Sequence, residues 1–235
     1  MCTVTFIPKS NTSFILTSNR DEAPGRDTIA PAIYKIDGVQ CLFPKDAVAG
    51  GTWIGVSSKK RLISLLNGGF EAHKRIDAYR MSRGIVVKDL LVADSLTVAV
   101  AAFNFNGIEP FTLIAVEYGD ALQLFELVWD GTKAHFTEKP LGPTIWSSSL
   151  LYTQEMKQKR EVWFSRYLKS ENISERTLLD FHKTAGEGNA KIDLIMDRGF
   201  VKTKAITQII GSSKKAQMRY EDLQAQKISE GTLAS

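Results

Sequence analysis

Paired β-rich segments near the start of the chain constrain its fold more than any other feature. Thr3–Pro8 and Ser13–Ser18 are two such segments, and the polar turn Lys9-Ser10-Asn11-Thr12 separates them. Apolar and β-branched runs on both sides of a short polar turn predict a β-hairpin. Thr52–Ser57 and Leu62–Leu66 repeat the pattern and end at a glycine break. Further strands are predicted over Thr97–Phe103, Phe111–Glu117, Leu122–Val128, Lys133–Thr137, Lys202–Ile210 and Gln217–Asp222.

Three other segments have a helical pattern. Arg83–Asp94 follows the capping residue Ser82 and carries apolar residues on and near one face. Thr153–Leu168 has a helical period, and Glu175–Thr184 follows Ser174. Because strands at both ends of the chain bracket these helices, we expect an α+β domain with long, mainly antiparallel sheets.

The composition is that of a globular protein with its own core. With 235 residues, 43% of them hydrophobic and 24% charged, the chain can bury a core without disulfides or metals. We predict a single domain over residues 1–223 and a polar C-terminal tail over residues 224–235. The net charge of +4 is small and spread along the sequence. Since no nucleic-acid-binding motif accompanies it, we expect no nucleic-acid partner.

The cysteines and the apolar runs indicate a cytoplasmic protein. Cys2 and Cys41 are the two cysteines of the chain, and one pair makes no disulfide framework. Cys41 lies in an apolar run and is expected to be an inert core thiol. The sequence has no secretory signal pattern, and no window approaches the ~18 apolar residues of a transmembrane segment. The oligomeric state stays open.

Metal and cofactor sites are not indicated. His73, His135 and His182 are far apart in the sequence and do not have the spacing of metal ligands. We expect them to be surface or hydrogen-bonded histidines, and we expect no metal and no cofactor.

Met1-Cys2 is the first candidate for chemistry. Initiator methionine is usually removed before a small residue, and Cys2 would then carry both a thiol and a free α-amine. The reference pKa of that amine is ~7.7–8.0, so it can act as a base near neutral pH, while the thiolate is a strong nucleophile. The alternative is a cysteine at this position by chance, or a small buried apolar residue.

Asn19-Arg20-Asp21-Glu22 directly follows the second predicted strand. If the first two strands are neighbours, these residues return to Cys2. Arginine would favour the thiolate, and a carboxylate would hold the α-amine. The alternative is an ordinary exposed turn.

Asn67-Gly68 follows another predicted strand and is the candidate oxyanion site. An Asn side-chain amide and a Gly N–H are two neutral donors that can stabilise the oxyanion of a tetrahedral intermediate. The alternative is a hairpin turn, which Asn-Gly commonly forms.

Five motifs together resemble a known family. The chain has, in order, Met1-Cys2-Thr3, Asn19-Arg20-Asp21-Glu22, Gly51-Thr52-Trp53-Ile54-Gly55, Leu66-Asn67-Gly68 and Ser82-Arg83-Gly84. This ordered set resembles the NRDE proteins, the family of the transport and Golgi organization protein 2, over roughly residues 1–95. The likeness is looser beyond that point.

The resemblance implies an N-terminal-nucleophile hydrolase fold, which is a four-layer αββα sandwich of two stacked, mainly antiparallel sheets flanked by helices. Carried over by motif, Cys2 is the nucleophile, Arg20 and Asp21 support it, and Asn67 is the oxyanion donor. The Gly68 N–H is expected to assist as a second donor. Penicillin and bile-salt acylases, which are similar at a distance, use a further Asn where this chain has serines. Expected substrate contacts are Asn19, Glu22, Trp53, Arg83 and Trp146.

Two functions follow from these expectations. The first is hydrolysis of a non-peptide carbon–nitrogen amide bond by Cys2, acting on a small amide or an acyl or lipid-like ligand. The second is a non-enzymatic protein that binds or carries a lipid, an acyl chain or haem in the same cleft.

Overall fold

The computed structural model describes residues 3–170 and 172–234, and this part of the chain contains two antiparallel sheets and four helices. The six strands of the first sheet are, in spatial order, β10 (Thr144–Ser147), β1 (Thr3–Ser10), β2 (Ser13–Glu22), β11 (Lys202–Gly211), β12 (Lys215–Asp222) and β13 (Lys227–Ala234). The seven strands of the second sheet are β3 (Thr28–Ile36), β4 (Val39–Asp46), β5 (Ile54–Ser57), β6 (Arg61–Asn67), β7 (Phe111–Glu117), β8 (Gln123–Trp129) and β9 (Ala134–Lys139). The helices are α1 (Arg83–Val92), α2 (Leu96–Ala102), α3 (Gln154–Leu168) and α4 (Glu175–Thr184).

The sheets stack face to face, and helices cover their outer faces. The Trp53 ring, just before β5, lies 6.5 Å from the Tyr220 ring of β12. On the outside of the second sheet, Ser57 Oγ donates a hydrogen bond to the Leu91 carbonyl of α1 at 2.7 Å. On the outside of the first sheet, α3 and α4 pack against β10 and β2. This order of layers confirms the predicted α+β sandwich.

Apolar side chains from both sheets form the central core. Val4, Phe6 and Leu16 of the first sheet and Val56 and Leu62 of the second are fully buried in one cluster. Burying each such side chain stabilises the fold by roughly 1.5–3 kcal/mol. A second cluster lies under α3 and α4 and consists of Ile7, Ile15, Phe164, Leu178, Phe181 and Leu194. Because β1 and β2 are covered on both faces, their register is fixed.

The predicted strand Thr97–Phe103 is wrong, since these residues lie mostly in α2. Its Val-Ala alternation is typical of a strand. However, Ser95 caps the helix by accepting the Val98 N–H at 3.4 Å. Leu96 and Val100 are the buried residues of α2, and their i, i+4 spacing puts them on one helical face. Capping and burial therefore outweigh the strand propensity.

The end of the chain also differs from the prediction. Residues 227–234 were expected in a polar tail, but they form β13. This strand pairs with β12 along its whole length, with Ala234 opposite Lys215 and Lys227 opposite Asp222. β13 is an edge strand with mostly exposed side chains, so it lacks the apolar alternation of a half-buried strand. β3, β4 and β10 were not predicted either. The domain boundary at residue 223 stays a prediction.

The helices of the described residues are short. The longest, α3, has 15 residues, and none of the helices in this part of the chain is long and apolar enough to cross a membrane.

Candidate functional site

The open end of the β1–β2 hairpin carries the predicted functional residues. Thr3 pairs with Asn19 of β2 and with Ser147 of β10, so β1 and β2 are neighbours as predicted. Arg20 and Asp21 lie within β2, whereas the sequence placed them after the strand. Met1 and Cys2 precede Thr3 and lie outside the described residues.

Arg20 and Asp21 face opposite sides of the first sheet, because successive side chains of a strand alternate. Arg20 turns toward the second sheet, where its guanidinium carbon lies 4.3 Å from the ring centroid of Trp53. Asp21 turns toward the helices, where it accepts hydrogen bonds from the Tyr152 hydroxyl and Thr203 Oγ1, both at 2.6 Å. The two residues therefore flank the start of β1 from two sides.

A small cleft opens beside Arg20, at the N-terminus of α1. Glu22, Trp53 and Arg83, which were predicted to contact substrate, line it together with Arg20. The other lining residues are Arg26, Asp46, Ala49, Gly51, Thr52, Leu65, Ser82 and Gly84. The structure thus brings three of the sequence motifs into one cleft.

Two glycines allow the two backbone segments that form one wall of this cleft to approach each other closely. A Cβ on Gly51 would lie 2.6 Å from the carbonyl carbon of Gly84, so the loop before β5 touches the first turn of α1. The Thr52 N–H donates to the Gly84 carbonyl at 3.2 Å. A side chain at either position would force the two segments apart.

Asp46 organises the charges of the cleft, and the sequence analysis missed it. Its Oδ2 accepts hydrogen bonds from Arg20 Nη2 at 3.0 Å and Arg26 Nε at 2.7 Å. Its Oδ1 accepts the N–H groups of Val48 and Ala49 at 3.0 and 2.8 Å. Burial alone would raise the pKa of Asp46, but these hydrogen bonds and the arginine charges lower it. Asp46 is therefore an ionised anchor for two arginines.

Arg20 is 2% exposed and also donates to Thr28 Oγ1 at 3.1 Å. Burial lowers the pKa of Arg20, although Glu22 and Asp46 oppose this effect. Burial alone would raise the pKa of Glu22, but the Ala23 N–H and the nearby arginines contribute to a net lowering. Both side chains stay charged at the edge of the cleft.

Arg83 is held by Glu109, a residue 5% exposed that the sequence did not single out. Arg83 Nη2 lies 3.1 Å from Glu109 Oε2, and Nη1 donates to the Pro110 carbonyl at 3.2 Å. Arg75 Nε and His73 Nε2 lie 3.1 and 3.2 Å from the other oxygen of Glu109. Burial lowers the pKa of Arg83, and the charge of Glu109 opposes this.

Asn19 does not reach the cleft, so its predicted contact with substrate is not supported. Its side chain is fully buried and donates to the carbonyls of Leu194 and His182 at 2.7 and 3.2 Å. Its Oδ1 lies 2.7 Å from Nδ1 of His182, whose Nε2 lies 2.8 Å from Thr5 Oγ1. Asn19 therefore connects β2 to α4 and the segment after it.

Asn67 ends β6 and approaches β10 through its main chain. Ser148 Oγ donates to the Asn67 carbonyl at 2.6 Å. The half-buried side-chain amide has no hydrogen-bond partner in the part of the chain that the structure describes. The Gly68 N–H, predicted as the second oxyanion donor, instead donates to the Pro110 carbonyl at 3.1 Å. Only the Asn67 amide is available as the predicted donor.

Trp146 lies in a separate groove, away from Arg20 and Arg83. Its Nε1 donates to Glu126 Oε2 at 2.7 Å. The groove is lined by Leu66, Gly69, Phe70, Thr112, Glu126, Val128, Trp146, Ser147, Ser149 and Lys157. The structure therefore divides the predicted substrate contacts between two depressions.

Arg160 is a fully buried cation that the sequence analysis did not identify. It donates hydrogen bonds to Thr3 Oγ1 and, from Nη2, to the carbonyls of Ile192 and Asp193 at 2.9 Å each. Its guanidinium carbon lies 3.5 Å from the ring centroid of Tyr152. Arg160 thereby fixes the start of β1 against α3.

Cys41 is fully buried, and burial raises the pKa of its thiol to about 11. Among the residues described, no group of three or more His, Cys, Asp or Glu side chains is placed to hold a metal ion.

Comparison with known proteins identifies a family and a fold. A family model described as Transport and Golgi organisation 2 matches residues 1–181. No curated protein matches the sequence.

Solved structures of three proteins share the fold. A variant of conjugated bile acid hydrolase from Clostridium perfringens has a TM-score of 0.63 and 8% identity, with 100% of this chain and 96% of that chain covered. Penicillin V acylase from Agrobacterium tumefaciens has a TM-score of 0.56 and 12% identity, with 98% and 85% covered. The N-acylethanolamine-hydrolyzing acid amidase ortholog of Caenorhabditis elegans has a TM-score of 0.59 and 14% identity, with 88% and 92% covered. These are N-terminal-nucleophile hydrolase folds, so the predicted fold is confirmed.

Proposed function

The chain belongs to the Transport and Golgi organisation 2 family, and from this premise we propose that it is a cysteine-type N-terminal-nucleophile hydrolase. Its substrate is a small molecule with a non-peptide carbon–nitrogen amide bond, and its nucleophile is Cys2 after removal of Met1. The fold supports the proposal, since the bile acid hydrolase and the N-acylethanolamine-hydrolyzing amidase that share it are hydrolases by name.

The register at the start of β1 is the observation that carries the proposal. Thr3 pairs with Asn19 on one side and Ser147 on the other. Cys2 directly precedes Thr3, and consecutive Cα atoms are about 3.8 Å apart. The proposal requires Cys2 to continue this register by one residue, opposite Arg20.

Three side chains of the described structure have the chemistry that the proposal requires. Arg20 faces the cleft and would favour the Cys2 thiolate, while Asp21 would hold the α-ammonium group. The hydrogen bond from Ser148 Oγ to the Asn67 carbonyl at 2.6 Å brings the end of β6 next to β10. The free Asn67 amide is therefore the proposed oxyanion donor.

The proposed reaction has two steps. The α-amine of Cys2 takes the thiol proton, and the sulfur attacks the amide carbon, whose oxygen becomes an oxyanion bound by Asn67. The C–N bond then breaks, the α-ammonium protonates the leaving nitrogen, and an acyl-Cys2 thioester remains. Water, deprotonated by the amine, cleaves the thioester to give a carboxylic acid and regenerates the thiol.

Intact-mass spectrometry with a cysteine-directed acylating probe tests this function. We expect purified protein to lack Met1 and to gain one acyl group, and we expect Cys2→Ala protein to gain none. Cys41→Ala protein is the matched control and should gain one group, because burial makes the native Cys41 thiol unreactive. Protein that retains Met1, or a Cys2→Ala variant with full amidase activity, would contradict the proposal.

A non-enzymatic carrier of a lipid, an acyl chain or haem is the second candidate. The groove beside Trp146 favours it, since Phe70 is 56% exposed there next to Leu66 and Val128. A carrier would bind an acyl ligand without releasing an amine, and Cys2→Ala would leave that binding unchanged. For haem, a titration followed by absorbance would show whether Cys2→Ala removes an iron ligand.

A further inference from the structure

Positive charge exceeds negative charge around the cleft. Arg20, Arg26 and Arg83 line it. Lys204 lies beside it, is 6% exposed, and donates to the carbonyls of Pro24 and Arg26 at 2.8 and 2.6 Å. Within residues 3–170 and 172–234, no carboxylate lies within 4.0 Å of its Nζ.

The carboxylates of this region are already neutralised. Asp46 lies within 3.0 Å of two arginines, and Glu109 lies 3.1 Å from two others. Glu22 lies 4.0 Å from the same two arginines as Asp46. The charge of Lys204 is offset by nearby Asp27 and Asp222. Four arginines stand against the three carboxylates, and this surplus positive charge favours an anion in the cleft.

A buried donor without a partner points to the same ligand. Trp53 lines the cleft and is 3% exposed, and its Nε1 has no hydrogen-bond partner in the described structure. An indole N–H can only donate. Leaving it buried and unpaired costs about 1–3 kcal/mol. The atom is enclosed, so a ligand oxygen that displaces the side chains around Nε1 would satisfy this N–H.

The first turn of α1 adds to the positive field. Ser82, Arg83 and Gly84 line the cleft, and the first turn of this 10-residue helix carries no acidic side chain. The partial positive charge of the helix N-terminus is thus not offset within the helix. Arg83 has five N–H donors, and Glu109 and Pro110 do not occupy all of them.

We infer that this cleft recognises an oxyanion on the substrate, namely a carboxylate next to the scissile amide, as in an N-acyl amino acid. Arg83 and the Trp53 N–H are its proposed donors. The inference rests on the proposed hydrolase function and names its substrate class.

Three amides with the same decanoyl chain show whether the cleft prefers a carboxylate, a phosphonate or a neutral group. N-decanoylglycine carries a carboxylate, N-decanoyl-aminomethylphosphonate carries a phosphonate, and N-decanoylethanolamine is neutral. We expect kcat/KM for the glycine amide to exceed that for the ethanolamide by about 10- to 100-fold, the effect of a charge-assisted hydrogen bond. A preference for the phosphonate would overturn the carboxylate assignment.

Variants of the two donors test the site itself. Arg83→Gln and Trp53→Phe should each reduce the ratio of kcat/KM for N-decanoylglycine to kcat/KM for N-decanoylethanolamine by about 10-fold or more. Trp53→Phe keeps one aromatic ring and removes the pyrrole part of the indole with its unpaired N–H. It leaves the ion pair of Arg83 with Glu109 intact, so it should fold even if Arg83→Gln does not. Arg166→Gln removes the same charge from an exposed site on α3 and should leave the ratio unchanged. Arg83→Lys should restore part of the preference for the charged substrate that Arg83→Gln loses.

Calorimetry on the Cys2→Ala protein separates this inference from the proposed function. Tighter binding of N-decanoylglycine than of the ethanolamide, reduced by Arg83→Gln or Trp53→Phe, would support the anion site even if no amide is hydrolysed. Hydrolysis of all three amides at equal rates would overturn the anion site and leave the hydrolase proposal intact. Equal binding of the charged and neutral amides would also overturn it.

Discussion

Acidification is predicted to destabilise this protein through His182. The imidazole is fully buried, with Nδ1 at 2.7 Å from Asn19 Oδ1 and Nε2 at 2.8 Å from Thr5 Oγ1. Burial, and then the charge of Arg160, lowers the pKa of His182 from 6.5 to about 3. The folded protein therefore keeps His182 neutral at a pH where the unfolded chain protonates it.

The sign and size of the effect follow from this difference in pKa. Above pH 6.5 the stabilisation is fully present, and it is lost as the pH falls toward 3 because the unfolded state binds the proton first. Each proton bound only by the unfolded state changes the free energy of unfolding by about 1.4 kcal/mol per pH unit. Between pH 7.5 and pH 5 we expect His182 to account for a loss of about 2 kcal/mol.

Urea unfolding followed by circular dichroism measures this loss. The free energy of unfolding of the wild-type protein should fall by about 2 kcal/mol more than that of His182→Gln between pH 7.5 and pH 5. Carboxylates titrate in both proteins, so the difference isolates His182. Parallel pH dependence in the two proteins, or an NMR spectrum with a protonated His182 at pH 5, would refute the reasoning.

Three other substitutions test the fold and the site. Asn19→Ala should lower the free energy of unfolding by about 2–5 kcal/mol, because it leaves the buried Nδ1 of His182 without a partner and removes the hydrogen bonds to the Leu194 and His182 carbonyls; a rise in KM with unchanged stability would contradict this. Gly51→Ala should lower the melting temperature, since its Cβ would lie 2.6 Å from backbone, whereas Gly25→Ala meets no atom within 4 Å and should not. Asn67→Ala should lower kcat by about 10²–10³ with little change in KM, and an unchanged kcat would remove Asn67 from the oxyanion site.

The parts of the fold with strong local signals were predictable. The strand Phe111–Glu117 and the helix Glu175–Thr184 have the predicted bounds. Ser174 caps that helix, and its side chain accepts the Thr177 N–H at 3.2 Å. The Asn-Arg-Asp-Glu and Ser-Arg-Gly motifs lie close together in the structure, since Arg20 of the first and Arg83 of the second line one cleft.

The rest depends on contacts between residues far apart in the sequence. Asp46 and Glu109 hold the cleft arginines, yet each lies in a segment with no motif of its own. Arg160 had one signal, since it lies four residues before Phe164 on the apolar face of α3, where a charged residue is unusual. Asn19 was misassigned because the motif does not show that alternation turns it to the helix side of the sheet.

Controlled exposure of the Cys2 amine tests the central claim most directly. A fusion with a protease-removable peptide directly before Cys2 blocks the α-amine, and cleavage frees it. Amide turnover and acyl-Cys2 formation, measured on the same sample, should be absent before cleavage and should rise in proportion to the free Cys2 terminus. Equal turnover before and after cleavage would show that the reaction does not use the terminal amine of Cys2.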